Sequence, residues 1–192
     1  DHPDFSPVLG VDGNALFYTS RRIRPDSSNA NVIDEVAGLP FENIYVSYKD
    51  RAGNWQAPEV LNINTPTGHM ATVNVSADGQ TLFIYRDDGG DGNLYESKLV
   101  GELWSDPVLI GSDVNTKSWE THCALTADGN TLYFVSDRKE GQGGRDLYRV
   151  VKLPNGEWSK AQNLGNTINT AYDEDGVFIH PNGRTMFFAN KG

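Results

Sequence analysis

Four times in this 192-residue chain a polar two-residue turn separates short apolar stretches, and that repetition sharply limits the fold. Residues 9–20 read LGVDGNALFYTS, 75–86 VSADGQTLFIYR, 125–136 LTADGNTLYFVS and 179–190 IHPNGRTMFFAN. The turn pairs Asp12-Gly13, Asp78-Gly79, Asp128-Gly129 and Asn182-Gly183 stand 66, 50 and 54 residues apart. Three further signals follow in fixed order. A polar–aliphatic–tyrosine triplet comes first (Asn43-Ile44-Tyr45, Asn93-Leu94-Tyr95, Asp146-Leu147-Tyr148). A tryptophan follows (Trp55, Trp104, Trp158), then Asn-Thr (Asn64-Thr65, Asn115-Thr116, Asn169-Thr170). Self-similarity at this period marks units that bury their faces only against one another.

Each signal has a local meaning. Asp-Gly or Asn-Gly between apolar runs reads as a two-residue hairpin turn with both turn positions at positive φ. Strands are therefore expected at 5–11 with 15–20, 71–77 with 81–86, 121–127 with 131–136, and 175–181 with 185–190. The tyrosine segments read as third strands and stretches such as Pro107–Ile110 as fourth strands. The fold class is all-β: four-stranded antiparallel blades of a β-propeller. The repeats divide as 1–67, 68–117, 118–171 and a partial 172–192. Three full blades and half a fourth point to an arc of a larger ring of six or more blades. The rival is a compact four-unit protein whose last blade has two strands. The first repeat carries an insertion, 23–40, expected as surface loop with a short helix within 31–37.

The strings SADGQTLF, TADGNTLYF and HPNGRTMFF, each with its glycine-rich turn and tyrosine strand, resemble the WD40-like propeller repeat of the TolB type. The segment GNTINTAYDEDGVFIHPNGRTMFFANKG is similar to the version common in Bacteroidetes cell-envelope proteins. There the propeller often sits beside tetratricopeptide repeats and an OmpA-like peptidoglycan-binding domain; a lipoprotein of the type IX secretion machinery is one example. The resemblance implies a periplasmic or outer-membrane-associated protein and brings no shared catalytic residues. The Trp-Asp and Gly-His signatures of true WD40 repeats are absent.

Composition bounds the partners. With 26 acidic and 16 basic residues, the net charge of −10 disfavours nucleic acid and anionic membrane surfaces, where clustered Lys and Arg meet phosphate. No apolar run approaches the length of a membrane-spanning helix. Cys123 stands alone, so no internal disulfide forms, and its aligned apolar neighbours predict a buried side chain. The start, DHPDF, lacks a secretory signal and reads as a processed or truncated end.

The first strand of each blade lines a propeller's channel. Equivalent positions near its entry hold Asp4, His69, Trp119, Glu120, His122, Asp173 and Glu174, the candidate binding rim. The expected function is a non-catalytic interaction module without a cofactor, presenting this rim and the 23–40 insertion to an envelope protein partner; peptidoglycan is reached only through other domains. One alternative is a carbohydrate-active hydrolase using Glu120 and Glu174 as paired carboxylates. Another is a small-ligand or calcium-binding propeller, with Asp87, Asp88 and Asp91 as weak calcium candidates. No G-x-S-x-G or H-E-x-x-H motif is present. The repeated tyrosines and tryptophans read as packing.

Overall fold

The computed structural model describes residues 2–87 and 89–192, and it is all-β. The first sheet holds β1 (Asp4–Leu9), β2 (Ala15–Ser20), β5 (Asn43–Tyr48) and β6 (Glu59–Val60) in that order. Between β2 and β5 the insertion forms a small hairpin, β3 (Ile33–Asp34) with β4 (Leu39–Pro40), in place of the expected short helix. Gly38, at a φ of 66°, and the Asp34 carboxylate, which accepts the Val36 N–H at 3.0 Å, favour a turn over a helical run.

The second sheet runs β7 (His69–Val75), β8 (Thr81–Asp87), β9 (Asn93–Val100), with β10 (Leu103–Trp104) and β11 (Val108–Leu109) both against β9. The third runs β12 (Glu120–Leu125), β13 (Thr131–Ser136), β14 (Asp146–Val151), β15 (Gln162–Asn163). The last is the hairpin of β16 (Glu174–Ile179) and β17 (Met186–Asn190). Every named pair is antiparallel, and the first strands β1, β7, β12 and β16 lie side by side around one axis.

The hairpin turns form where expected but not as two-residue turns. Ser76 N–H donates to the Thr81 carbonyl (2.8 Å) and Gly79 N–H to the Ser76 carbonyl (2.9 Å), and the pattern recurs at Gly10, Thr126 and His180. Only the glycine has positive φ, near 70° at Gly79; the residue before it does not. Instead Asp12, Asp78, Asp128 and Asn182 each accept the N–H two residues on, at 2.9–3.0 Å. The turn thus needs the glycine for conformation and the acid or amide as a cap.

Strand alternation buries both faces of the inner sheets. In β8, Leu82 and Ile84 enter a core with Phe17, Ile44 and Val46 of the first sheet, while Phe83 enters the next core with Leu132 and Phe134. In β13, Phe134 joins that second core and Val135 a third, with Val177 of β16. Each adjacent pair of sheets therefore shares one apolar layer, and Cys123 is fully buried in the second.

The Asn-Thr pairs tie the sheets together. Asn115 accepts the Leu94 N–H and donates to the Leu94 carbonyl, both at 2.8 Å; Asn64 grips Ile44 and Asn169 grips Leu147 in the same way. The tyrosines are alike too: Tyr45, Tyr95 and Tyr148 are all buried, each under an arginine (Arg22, Arg86, Arg138) 4.2–5.2 Å from the ring. The tryptophans share a position beside the third strand but not an environment. Trp104 packs edge-on against Phe17 of the preceding sheet at 5.8 Å, whereas Trp55, with no described sheet before it, is 44% exposed.

Candidate functional site

Each first strand carries a one-residue bulge at an equivalent place: between Phe5 and Val8, Thr72 and Asn74, Glu120 and Cys123, Asp175 and Phe178. A bulge breaks strict alternation and re-aims a side chain. Ser6 (φ 48°) and Gly176 (φ 61°) take left-handed backbone there. In β12 the bulge lets Glu120 turn inward, Cys123 enter the core, and His122 face the channel.

The channel mouth is a cavity of about 550 Å³. Phe5, Ala71, Val73, Tyr85 and Trp119 form its apolar and aromatic wall, and His122, Asp137, Arg145 and Asp173 its polar side. Nδ1 of His122 lies 2.6 Å from Oδ1 of Asp175 on the next first strand. Asp175 also meets Nη1 of Arg145 at 3.0 Å and the Thr121 hydroxyl at 3.3 Å. Burial works against the charged carboxyl, but His122 and Arg145 outweigh it and hold Asp175 down at about 2. The two atoms are in charge contact without hydrogen-bond alignment, and Nδ1 makes no hydrogen bond among the described residues. On the aromatic side, Trp119 Nε1–H donates to the Tyr85 hydroxyl at 2.9 Å. Burial pushes the Tyr85 phenol up to about 12, so it stays a neutral O–H donor at neutral pH. Gly92 makes this pair fit, because a Cβ there would collide with both the Trp119 indole and the Tyr85 ring.

Of the seven rim residues expected from the sequence, three line the cavity: Trp119, His122 and Asp173. Asp173 accepts the Arg145 N–H at 3.0 Å, and that bond, with Lys191 and the Arg145 guanidinium, lowers its carboxyl below the usual range. Glu120 and Glu174 are corrected to structural residues, both fully buried. Glu120 accepts from the Thr116 N–H (3.0 Å) and hydroxyl (2.9 Å), the Ser136 hydroxyl (2.8 Å) and Arg138 (3.3 Å). Glu174 accepts from the Thr170 hydroxyl and Asn190, both at 2.7 Å. Each carboxylate clamps the threonine of an Asn-Thr pair, so neither reaches a substrate, and the paired-carboxylate hydrolase loses its residues. Asp4 pairs with Arg22 at 2.6 Å outside the cavity. His69 turns away to Glu42, Asp34 and Phe41.

The calcium candidates Asp87 and Asp91 are not gathered into a metal site among the described residues. Asp87 caps its own turn through the Gly89 and Gly90 N–H groups, at 3.1 and 2.5 Å; Asp88 lies outside the described residues. Among the described residues, no group of three or more His, Cys, Asp or Glu is gathered as a metal site. Sequence reasoning missed Tyr85, Asp137, Arg145 and Asp175. The hint available was that Asp175 follows Glu174, one register from a channel position.

No family model matches the chain. Its fold resembles TolB of Acinetobacter baumannii, with a TM-score of 0.62 at 18% identity over 97% of this chain and 37% of that one. It also resembles a putative TolB of Agrobacterium tumefaciens, with a TM-score of 0.59 at 16% identity over 98% and 54% of the two chains. The fold is that of TolB-type β-propellers. A periplasmic gluconolactonase of Pseudomonas aeruginosa matches with a TM-score of 0.50 at 12% identity, covering 97% of this chain and 64% of that one. Among curated proteins, methanethiol oxidase of Ruegeria pomeroyi is 32% identical over 124 residues, which is 58% of this chain and 25% of the oxidase. The chain thus spans about a quarter of that relative and between a third and about half of the TolB proteins. The expectation of a non-catalytic module is overturned by these findings: a sequence relative and a fold neighbour are both named enzymes.

Proposed function

We propose that the chain belongs to a periplasmic TolB-like β-propeller that binds a small hydroxyl-bearing, sugar-like molecule at its channel mouth. The observation that carries this reading is the pairing, in one cavity of about 550 Å³, of an aromatic wall (Tyr85, Trp119) with a side rich in hydrogen-bonding groups (His122, Asp137, Arg145, Asp173). A cavity of that size with a few convergent polar groups is the usual form of a small-molecule site. The flat apolar face of a sugar ring stacks on aromatic rings, and its hydroxyls donate to carboxylates. The TolB-like neighbours and the envelope-type repeat grammar support the periplasm. The OmpA-like and type IX associations rest on that grammar alone. The insertion hairpin, whose Val36 is 98% exposed, is the surface this reading assigns to an envelope protein partner.

The test is a fluorescence titration of the intact protein with D-galactose, comparing wild type with Trp119→Phe. The reading predicts a saturable change that disappears in the variant and weakens at least about tenfold in Asp137→Asn. A response unchanged in both variants removes the channel mouth as the site.

A further inference from the structure

We propose that the channel mouth is a hydrolytic site for a sugar lactone, with His122 as the general base and Tyr85 as the donor to the developing oxyanion. This rests on the channel-mouth reading and adds a reaction to it. The geometry supplies both halves of the chemistry in one cavity. His122 lines the cavity with Asp175 Oδ1 2.6 Å from its Nδ1, and its Nε2 makes no hydrogen bond among the described residues. Tyr85 accepts from Trp119 at 2.9 Å, which leaves its own O–H without an acceptor among the described residues. A base oriented by a carboxylate is the arrangement that general-base catalysis needs. A preorganised phenol donor suits the oxyanion of an acyl-transfer intermediate.

The step balances with water as the only co-reactant. Nε2 of His122 takes a proton from water as its oxygen attacks the lactone carbonyl carbon. The C=O π pair moves onto oxygen, where the Tyr85 O–H receives it. Collapse re-forms the carbonyl and breaks the ring C–O bond. The imidazolium returns its proton to the leaving oxygen, giving the open hydroxy acid. The charged groups around His122 are Asp175 on β16, Arg145 before β14, and Asp173 and Asp137 at the cavity wall. Arg145 bridges the two neighbouring carboxylates, meeting Asp173 at 3.3 Å and Asp175 at 3.0 Å, so its charge offsets theirs beside the imidazole.

The experiment follows hydrolysis of D-galactono-1,4-lactone by the intact protein in a pH-stat, with D-galactose binding read in parallel by fluorescence. The proposal predicts turnover above the uncatalysed rate and a fall of about 100-fold or more in kcat/KM in His122→Gln. Tyr85→Phe loses about 100-fold in kcat. The His122→Gln variant keeps the wild-type melting temperature, so its lost turnover is not lost folding, and the loss falls on kcat at saturating lactone rather than on KM alone. Asp175→Asn lowers kcat by about 100-fold or more with KM little changed, a split that a purely structural role would not produce. Galactose binding without lactone turnover, or turnover indifferent to His122→Gln, overturns the reaction and leaves the binding reading standing. Loss of both binding and turnover in the wild type overturns the two together.

Discussion

Asp175 joins two neighbouring first strands, and its ionisation sets a pH dependence. Its folded value, about 2, lies below the roughly 3.9 of an unfolded aspartate. The stability it contributes is therefore present above about pH 4 and lost as pH falls toward 2. Melting temperature followed across that window should fall more steeply for the wild type than for Asp175→Asn; equal slopes would contradict the pairing with His122 and Arg145. Tyr85 works in the opposite direction. Its folded value is raised to about 12, against roughly 10 in the unfolded chain, so the native state loses stability as pH rises above 10. Near-ultraviolet tyrosinate titration should show late-ionising phenols, one of which is lost in Tyr85→Phe and all of which revert to ordinary behaviour in unfolded protein. At this scale the sequence was partly legible. His122 stood out because a polar residue occupied a column of channel positions. Tyr85 did not, because it lies on the second strand of the preceding unit, whereas the rim was sought on first strands alone. Glu120 and Glu174 misled because the bulge that frees His122 also turns them inward.

The hairpins were the most legible elements, since an Asp-Gly or Asn-Gly pair announces a reversal whichever turn type it takes. The short helix expected in 31–37 was misread because Gly38 and the Asp34 cap compete with helical geometry and were given too little weight. The Asn-Thr repeat was visible but its purpose was not, because its partners lie about twenty residues back on the third strand. Asn115→Ala leaves both the N–H and the carbonyl of Leu94 unpaired in a buried place and should cost about 2–3 kcal/mol in denaturant unfolding. A loss below about 0.5 kcal/mol would mean the clamp is not structural. Gly92 links an element to the site: Gly92→Ala must push aside Trp119 or Tyr85, so galactose-dependent fluorescence should weaken more than stability does.

Across the whole molecule the repeated sheets stack through three apolar layers, one between each adjacent pair. Phe134, fully buried in the middle layer and stacked on Tyr148 at 5.7 Å, touches both the sheet it belongs to and the one before it. Phe134→Ala should destabilise the protein by about 3–5 kcal/mol. The all-β blade architecture was readable because the period was, and the TolB-like neighbours agree with it. Enzymatic relatives were not readable, because a propeller shares its scaffold across many activities and its chemistry sits on a few channel side chains. The most direct measurement is a crystal structure of the intact protein soaked with D-galactose. The account predicts ring density against Trp119 and Tyr85, with hydroxyls on His122, Asp137 or Asp173. Density at another surface, with the channel mouth filled only by water, would contradict it.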